Sequence, residues 1–108
     1  MVLAILIAAT MAHADDAAIK KELLGYWKSG RHSYLYKDDG IIYMMGGTTK
    51  STWDVRDGRY YEQGLKPAKI IALTKTKFTF LLDGESTPYT LKRITKEEAE
   101  LSGKPGEL

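Results

Sequence analysis

Cysteine is absent from this chain of 108 residues, which excludes disulfides, thiolate metal sites, a cysteine nucleophile and the lipid-modified cysteine of a lipoprotein. Histidine is scarce, with only His13 and His32, and metal centres need several converging ligands, so no metal site is expected. Neither charge sign dominates. Sixteen Lys and Arg against fourteen Asp and Glu leave +2, too little and too evenly spread for a nucleic-acid partner or a polybasic membrane surface. Three Pro and ten Gly, with Tyr, Phe, Trp, Ile and Leu distributed along most of the chain, argue against a disordered or collagenous protein. The chain contains no G-x-S-x-G or H-E-x-x-H sequence, and the length allows one hydrophobic core and no second domain.

What is present begins with an apolar leader. Met1 to Ala14 carries no Asp, Glu, Lys or Arg, and the run from Val2 to Met11 closes on Ala12-His13-Ala14, an A-x-A cleavage pattern. A helix needs roughly 20 apolar residues to span a bilayer, so a run of this length suits a secretory signal peptide and not a stable membrane span. The expectation is a signal peptide over residues 1–14 and a secreted or periplasmic domain over residues 15–108. No Lys or Arg precedes the run, and the competing reading is a buried N-terminal strand or helix of a cytosolic domain.

Asp15 to Leu24 reads as a short amphipathic helix capped by Asp, with Ile19 and Leu23 four apart, and Gly25 ends it. From there to Ile94 the apolar period becomes two and turn signals recur every 8 to 12 residues, the pattern of an all-β antiparallel meander. About eight short strands are predicted. Asp38-Asp39-Gly40, Gly46-Gly47 and Asp57-Gly58 mark hairpins, the last most clearly. Gly64 and Pro67 bracket a loop, Lys75-Thr76 is a tight connection, and Asp83 to Ser86 turns into the final strand. Thr95-Lys96-Glu97-Glu98 matches a capping box that starts a short C-terminal helix stopped by Gly103 and Pro105. Eight strands with nearest-neighbour connections remove their exposed edges by closing into an up-and-down barrel, whose interior is filled by side chains or holds one small ligand.

Gly25-Tyr26-Trp27 is a G-x-W triplet just after the N-terminal helix and at the start of the first strand. Arg93 shares its strand face with Tyr89 and Leu91, an unexpected direction for a guanidinium unless an aromatic ring lies inside, and Trp27 is its natural partner. Helix, G-x-W, antiparallel barrel and a late Arg together resemble the lipocalin-like, or calycin, pattern. The stretches from Tyr34 to Gly40, Thr52 to Val55, and Lys69 to Leu73 leading to Phe78 and Tyr89 are also similar to small bacterial lipocalin-like domains. The resemblance implies that Trp27 and Arg93 close the fold and are not a catalytic pair, and that the barrel is a carrier.

The aromatic residues are the informative set. His32, Tyr34, Tyr36, Tyr43, Trp53, Phe78, Phe80 and Tyr89 are the candidate lining of the barrel interior, and inward tyrosines need partners for their hydroxyls. Ile42 and Met44 are expected to face outward if Ile41, Tyr43 and Met45 face in, which calls for a covering helix, a homodimer seam or another protein partner. Asp38 with Asp39 and Asp54 with Asp57 sit beside turn glycines and read as turn chemistry. No catalytic residue and no cofactor is expected; a small hydrolase or isomerase would have to use His32. The function expected is non-enzymatic binding of a small, partly apolar ligand, and the alternative is a solid barrel serving as a protein-interaction module.

Overall fold

The computed structural model describes residues 16–104; the leader, Asp15 and Pro105 lie outside them. Helix α1 (Asp16–Leu23) precedes eight strands: β1 (Gly25–Ser29), β2 (His32–Tyr36), β3 (Ile41–Met44), β4 (Lys50–Arg56), β5 (Arg59–Glu62), β6 (Ala68–Leu73), β7 (Lys77–Leu82) and β8 (Tyr89–Arg93). Helix α2 (Lys96–Glu100) follows. Each strand pairs antiparallel with its chain neighbours and β1 pairs with β8, so the meander is a closed barrel without a free edge. No helix among the described residues is long and apolar enough to cross a membrane.

The Asp57-Gly58 hairpin shows how local chemistry sets register. Both residues take positive φ, 53° and 75°, and the Asp16 carboxylate accepts hydrogen bonds from both amides at 2.7 and 2.8 Å. Asp16 thus ties α1 to the β4–β5 turn. The helix lies over that end of the barrel and inserts Ile19 and Leu23, both fully buried, into the core. At the same end the Trp27 indole N–H donates to the Leu23 carbonyl at 2.8 Å, and the Arg93 guanidinium stands 4.1 Å from the Trp27 ring centroid. Arg93 also donates to the carbonyls of Leu24 (2.7 Å), Lys75 (3.0 Å) and Glu22. A Cβ on Gly25, whose φ is 119°, would sit 2.8 Å from Arg93 Nη1, so the glycine of the G-x-W triplet makes room for the guanidinium to reach Leu24.

A second, smaller cluster lies outside the barrel. Met45, Ile94 and Ala99 are buried there with Tyr26 and Leu35 packed alongside, under α2. Thr95 caps α2 through its hydroxyl, which accepts from the Glu98 amide at 3.1 Å, as the capping-box spacing predicts. The chain beyond α2 returns to the β3–β4 turn, where the Gly46 amide donates to the Lys104 carbonyl at 2.9 Å. Gly46 has a φ of 76°, and a Cβ there would overlap the Ser102 carbonyl oxygen. Gly46→Ala is therefore expected to cost about 2–4 kcal/mol, from left-handed backbone strain plus displacement of the C-terminal segment. Urea denaturation measures the loss, and a variant within about 0.5 kcal/mol of the parent would show that this docking contributes nothing.

The β3 face is the reverse of the sequence expectation. Ile42 is 5% exposed and lies in the barrel core, opposite Tyr36, and Met44 pairs with Tyr34 on the same inner face. Tyr43 points outward: its hydroxyl donates to Asp39 at 2.9 Å, and the Lys37 and Lys50 ammonium groups each stand 5.5 Å from its ring centroid. Alternation could not assign a face to the run Ile-Ile-Tyr-Met-Met, apolar on both sides. The tyrosine hydroxyl decides it, because Asp39 and two cations wait outside. Ile42 and Met44 thus form no outer interface, and the helix that covers apolar surface here covers Met45.

Candidate functional site

The barrel has two unlike ends. Helix α1, the Trp27–Arg93 contact and the turns after β2, β4 and β6 occupy one. The other holds the turns after β1, β3, β5 and β7 and opens into a cup of about 610 Å³, within the range of small-molecule sites. Tyr34, Tyr36, Phe80 and Tyr89 form its aromatic wall, and Ile42, Met44 and Leu91 its aliphatic one. Ser29, Thr49, Ser51 and Gln63 add polar groups. Leu65 and Tyr89, two of the exposed large apolar side chains, stand at this mouth with 42% and 48% of their surfaces accessible.

Aromatic packing continues inward from the wall. Tyr89 stacks on Phe80 with centroids 5.6 Å apart and planes 12° from parallel; Phe80 meets Phe78 and Tyr60 at 5.0 and 4.9 Å, and Phe78 meets Trp27 edge-on at 6.1 Å. Trp53 packs on Tyr36 at 5.4 Å and donates its indole N–H to the Lys37 carbonyl at 3.3 Å. The half of the barrel near α1 is thus filled and the other half is hollow.

Of the interior candidates, the structure brings Tyr34, Tyr36, Phe80 and Tyr89 to the cup and places Trp53 and Phe78 deeper in the core. It turns Tyr43 outward, as described. His32 begins β2 at an exposed position outside the cup, its ring 6.4 Å from that of Tyr34, because the strand's inward series runs past the rim there. The acidic pairs serve the turns and surface: Asp39 accepts from the Ile41 amide at 3.0 Å, and Asp54 pairs with Lys20 at 2.9 Å and Arg56 at 3.2 Å. Among the described residues no group of three or more His, Asp or Glu side chains is arranged to hold a metal ion.

Two residues of β5 were missed from the sequence, Tyr60 and Glu62. The Tyr60 hydroxyl is 2.8 Å from that of Tyr36 and donates to the Glu62 carboxylate at 2.6 Å. The Tyr36–Tyr60–Glu62 chain carries polarity from the core to the cup. The signal for it was present, because the two-residue Asp57-Gly58 turn fixes Val55 opposite Tyr60 and Trp53 opposite Glu62. With Trp53 and Val55 inward, Tyr60 and Glu62 must be inward too.

Burial pushes the Glu62 carboxyl above its ordinary range, while the Tyr60 hydroxyl pulls it the other way. Burial likewise raises the Tyr36 and Tyr60 phenols, with the Glu62 charge adding to both. Between the ordinary Glu value and the raised one, the folded protein keeps a proton that the unfolded chain has released. The Glu62 contribution to stability therefore falls as pH rises through that window and is a net cost above it. Glu62→Gln should remove this dependence and melt higher than the parent at neutral pH. Urea midpoints of both proteins across pH 4 to 8, the span about the ordinary Glu range, check it; a variant that gains nothing over the parent with rising pH would contradict the assignment.

Comparison of the chain with protein-family models, with characterised proteins and with solved structures gives no match to any of them.

Proposed function

We propose that this protein is an exported, lipocalin-like carrier that binds one small, partly apolar molecule in the open half of its barrel. The observation that carries the reading is the cup of about 610 Å³, walled by Tyr34, Tyr36, Phe80 and Tyr89 above a filled, helix-capped base. Concave, mostly apolar walls with a few convergent polar groups are the usual make-up of a small-molecule site. The Gly25-Tyr26-Trp27 triplet and the Arg93–Trp27 contact support the lipocalin-like part, and the apolar leader closed by Ala12-His13-Ala14 supports export. Ile42 and Met44, one of the two surfaces the protein-interaction alternative could use, face the cup, which leaves that alternative the loop rim.

Native mass spectrometry of the protein purified from the exported fraction of its host, before and after denaturation, tests all parts together. The expected result is a chain starting at Asp15 with an additional small mass that is lost on denaturation. A ligand-free chain that also takes up no apolar probe would overturn the carrier reading, and an intact Met1 would overturn export.

A further inference from the structure

We propose that the ligand of this cup is an amphiphilic cation, an apolar or aromatic body bearing an ammonium group, and that Glu62 is the residue that selects it. The inference rests on the carrier reading and adds the chemistry of the head group. Two charged residues, Lys50 and Glu62, contribute to the cup wall. They are not equivalent. Lys50 sends its ammonium to the outer face, 5.5 Å from the Tyr43 ring centroid, whereas Glu62 lies on the inward face of β5, in register with Trp53. The cup is thus an apolar vessel with one carboxylate inside.

That carboxylate lacks a resident counter-ion. Among the described residues no Lys, Arg or His comes within 4.0 Å of Glu62, and the hydrogen bond it receives is the Tyr60 hydroxyl on Oε1. Among the described residues no buried side-chain oxygen is left without a partner, so Oε2, which has none, is accessible, on a residue that lines the cup. A structural carboxylate in such a place would be expected to carry a bidentate Arg or several backbone amides, as burying a charge is otherwise costly. Asp16 accepts two backbone amides, and Asp54 one amide together with Lys20 and Arg56, whereas Glu62 has neither a cation nor a backbone amide. An incoming ammonium would supply the missing charge at Oε2, while the aromatic lining of Tyr34, Tyr89 and Phe80 would cover the apolar body, with the more exposed Tyr34 and Tyr89 rings available for cation–π contact. An anionic ligand would meet Glu62, with the Lys50 ammonium turned away to the outer face.

The titratable groups that face Glu62 are Tyr34 and Tyr36 on β2 and Tyr60 beside it on β5; all three are phenols whose values are raised, and they stay neutral through the range in which the carboxyl ionises. Cation affinity should therefore rise with pH as Glu62 alone loses its proton.

Calorimetric titration of the parent with 1-naphthylmethylammonium, 1-naphthylmethanol and 1-naphthoate, matched in body and different in head, tests the inference. The ammonium should bind about tenfold or more tighter than the alcohol, the worth of one charge-assisted hydrogen bond, with naphthoate weakest. Glu62→Gln should weaken the ammonium most and bring ammonium and alcohol to within about twofold, the signature of a lost charge. Equal binding of all three probes, or tightest binding of naphthoate, would overturn the cation assignment and leave the carrier reading standing. Binding of none would overturn both.

Discussion

Trp27→Ala should destabilise the protein by about 3–5 kcal/mol, the usual cost of deleting a fully buried large aromatic side chain. That is a large part of the roughly 5–15 kcal/mol that holds a domain folded. The indole has three connections: its N–H to Leu23 holds the end of α1, its edge meets Phe78, and its face carries the Arg93 guanidinium. Arg93 in turn joins the Glu22, Leu24 and Lys75 carbonyls, linking the α1–β1 junction to the β6–β7 turn across the β1–β8 seam. Arg93→Met removes the cation–π contact, about 0.5–2 kcal/mol, and the donors to three carbonyls, about 1 kcal/mol or more each. The methionine stem keeps some cover over the ring, and the loss should approach that of Trp27→Ala. Trp27→Phe keeps a ring face and drops the N–H, and should fall between parent and Trp27→Ala. Urea denaturation followed by far-UV circular dichroism gives the order, and the double variant measures the coupling between the two residues. A loss below about 1 kcal/mol for Trp27→Ala would show that the seam is held elsewhere.

How far the sequence discloses this architecture depends on what sets each register. At Asp57-Gly58 a two-residue turn with both φ values positive leaves one pairing, so every inward residue of β4 and β5 follows once Trp53 is placed. The Arg93–Trp27 contact follows as well, because a guanidinium on an apolar face has few physical explanations. The β2–β3 connection is different. Lys37 to Gly40 is a longer turn, and Ile41 to Met45 is apolar on both faces, since one face lines the barrel and the other is partly covered by α2. Period-two counting then has no contrast to work with, and the orientation depends on Asp39 and the lysines around Tyr43, a tertiary matter. In β6 the bulge between Ile70 and Ala72 puts Ile70 and Leu73 on the same side and leaves Ile71 exposed, which strict alternation does not anticipate. The cup itself was not legible, because the sequence names aromatic residues without saying whether they meet at the centre.

That boundary between filled and hollow halves is where Phe78→Ala acts. Phe78 is fully buried one layer below the cup, in contact with Trp27 on the sealed side and Phe80 on the open side. Tyr60 packs edge-on against it at 5.0 Å. Its two neighbouring strands, β6 and β8, hold the backbone around it in a closed ladder, so the barrel cannot contract freely onto the space left behind. The expected loss is about 3–5 kcal/mol, toward the upper end if Phe80 keeps its rotamer and toward the lower end if it tips inward. The two responses are separable. A hole retained beneath Phe80 is apolar and should take up a small aromatic molecule, so benzene-saturated buffer should raise the urea midpoint of Phe78→Ala by more than it raises that of the parent. If Phe80 instead swings into the hole, benzene stabilises both proteins alike, and the variant's cup deepens at the position Phe80 vacates. Its affinity for 1-naphthylmethanol then changes while that of a rigid-core variant would not. A loss under about 1 kcal/mol with neither response would mean that Phe78 does not separate the packed base from the cup.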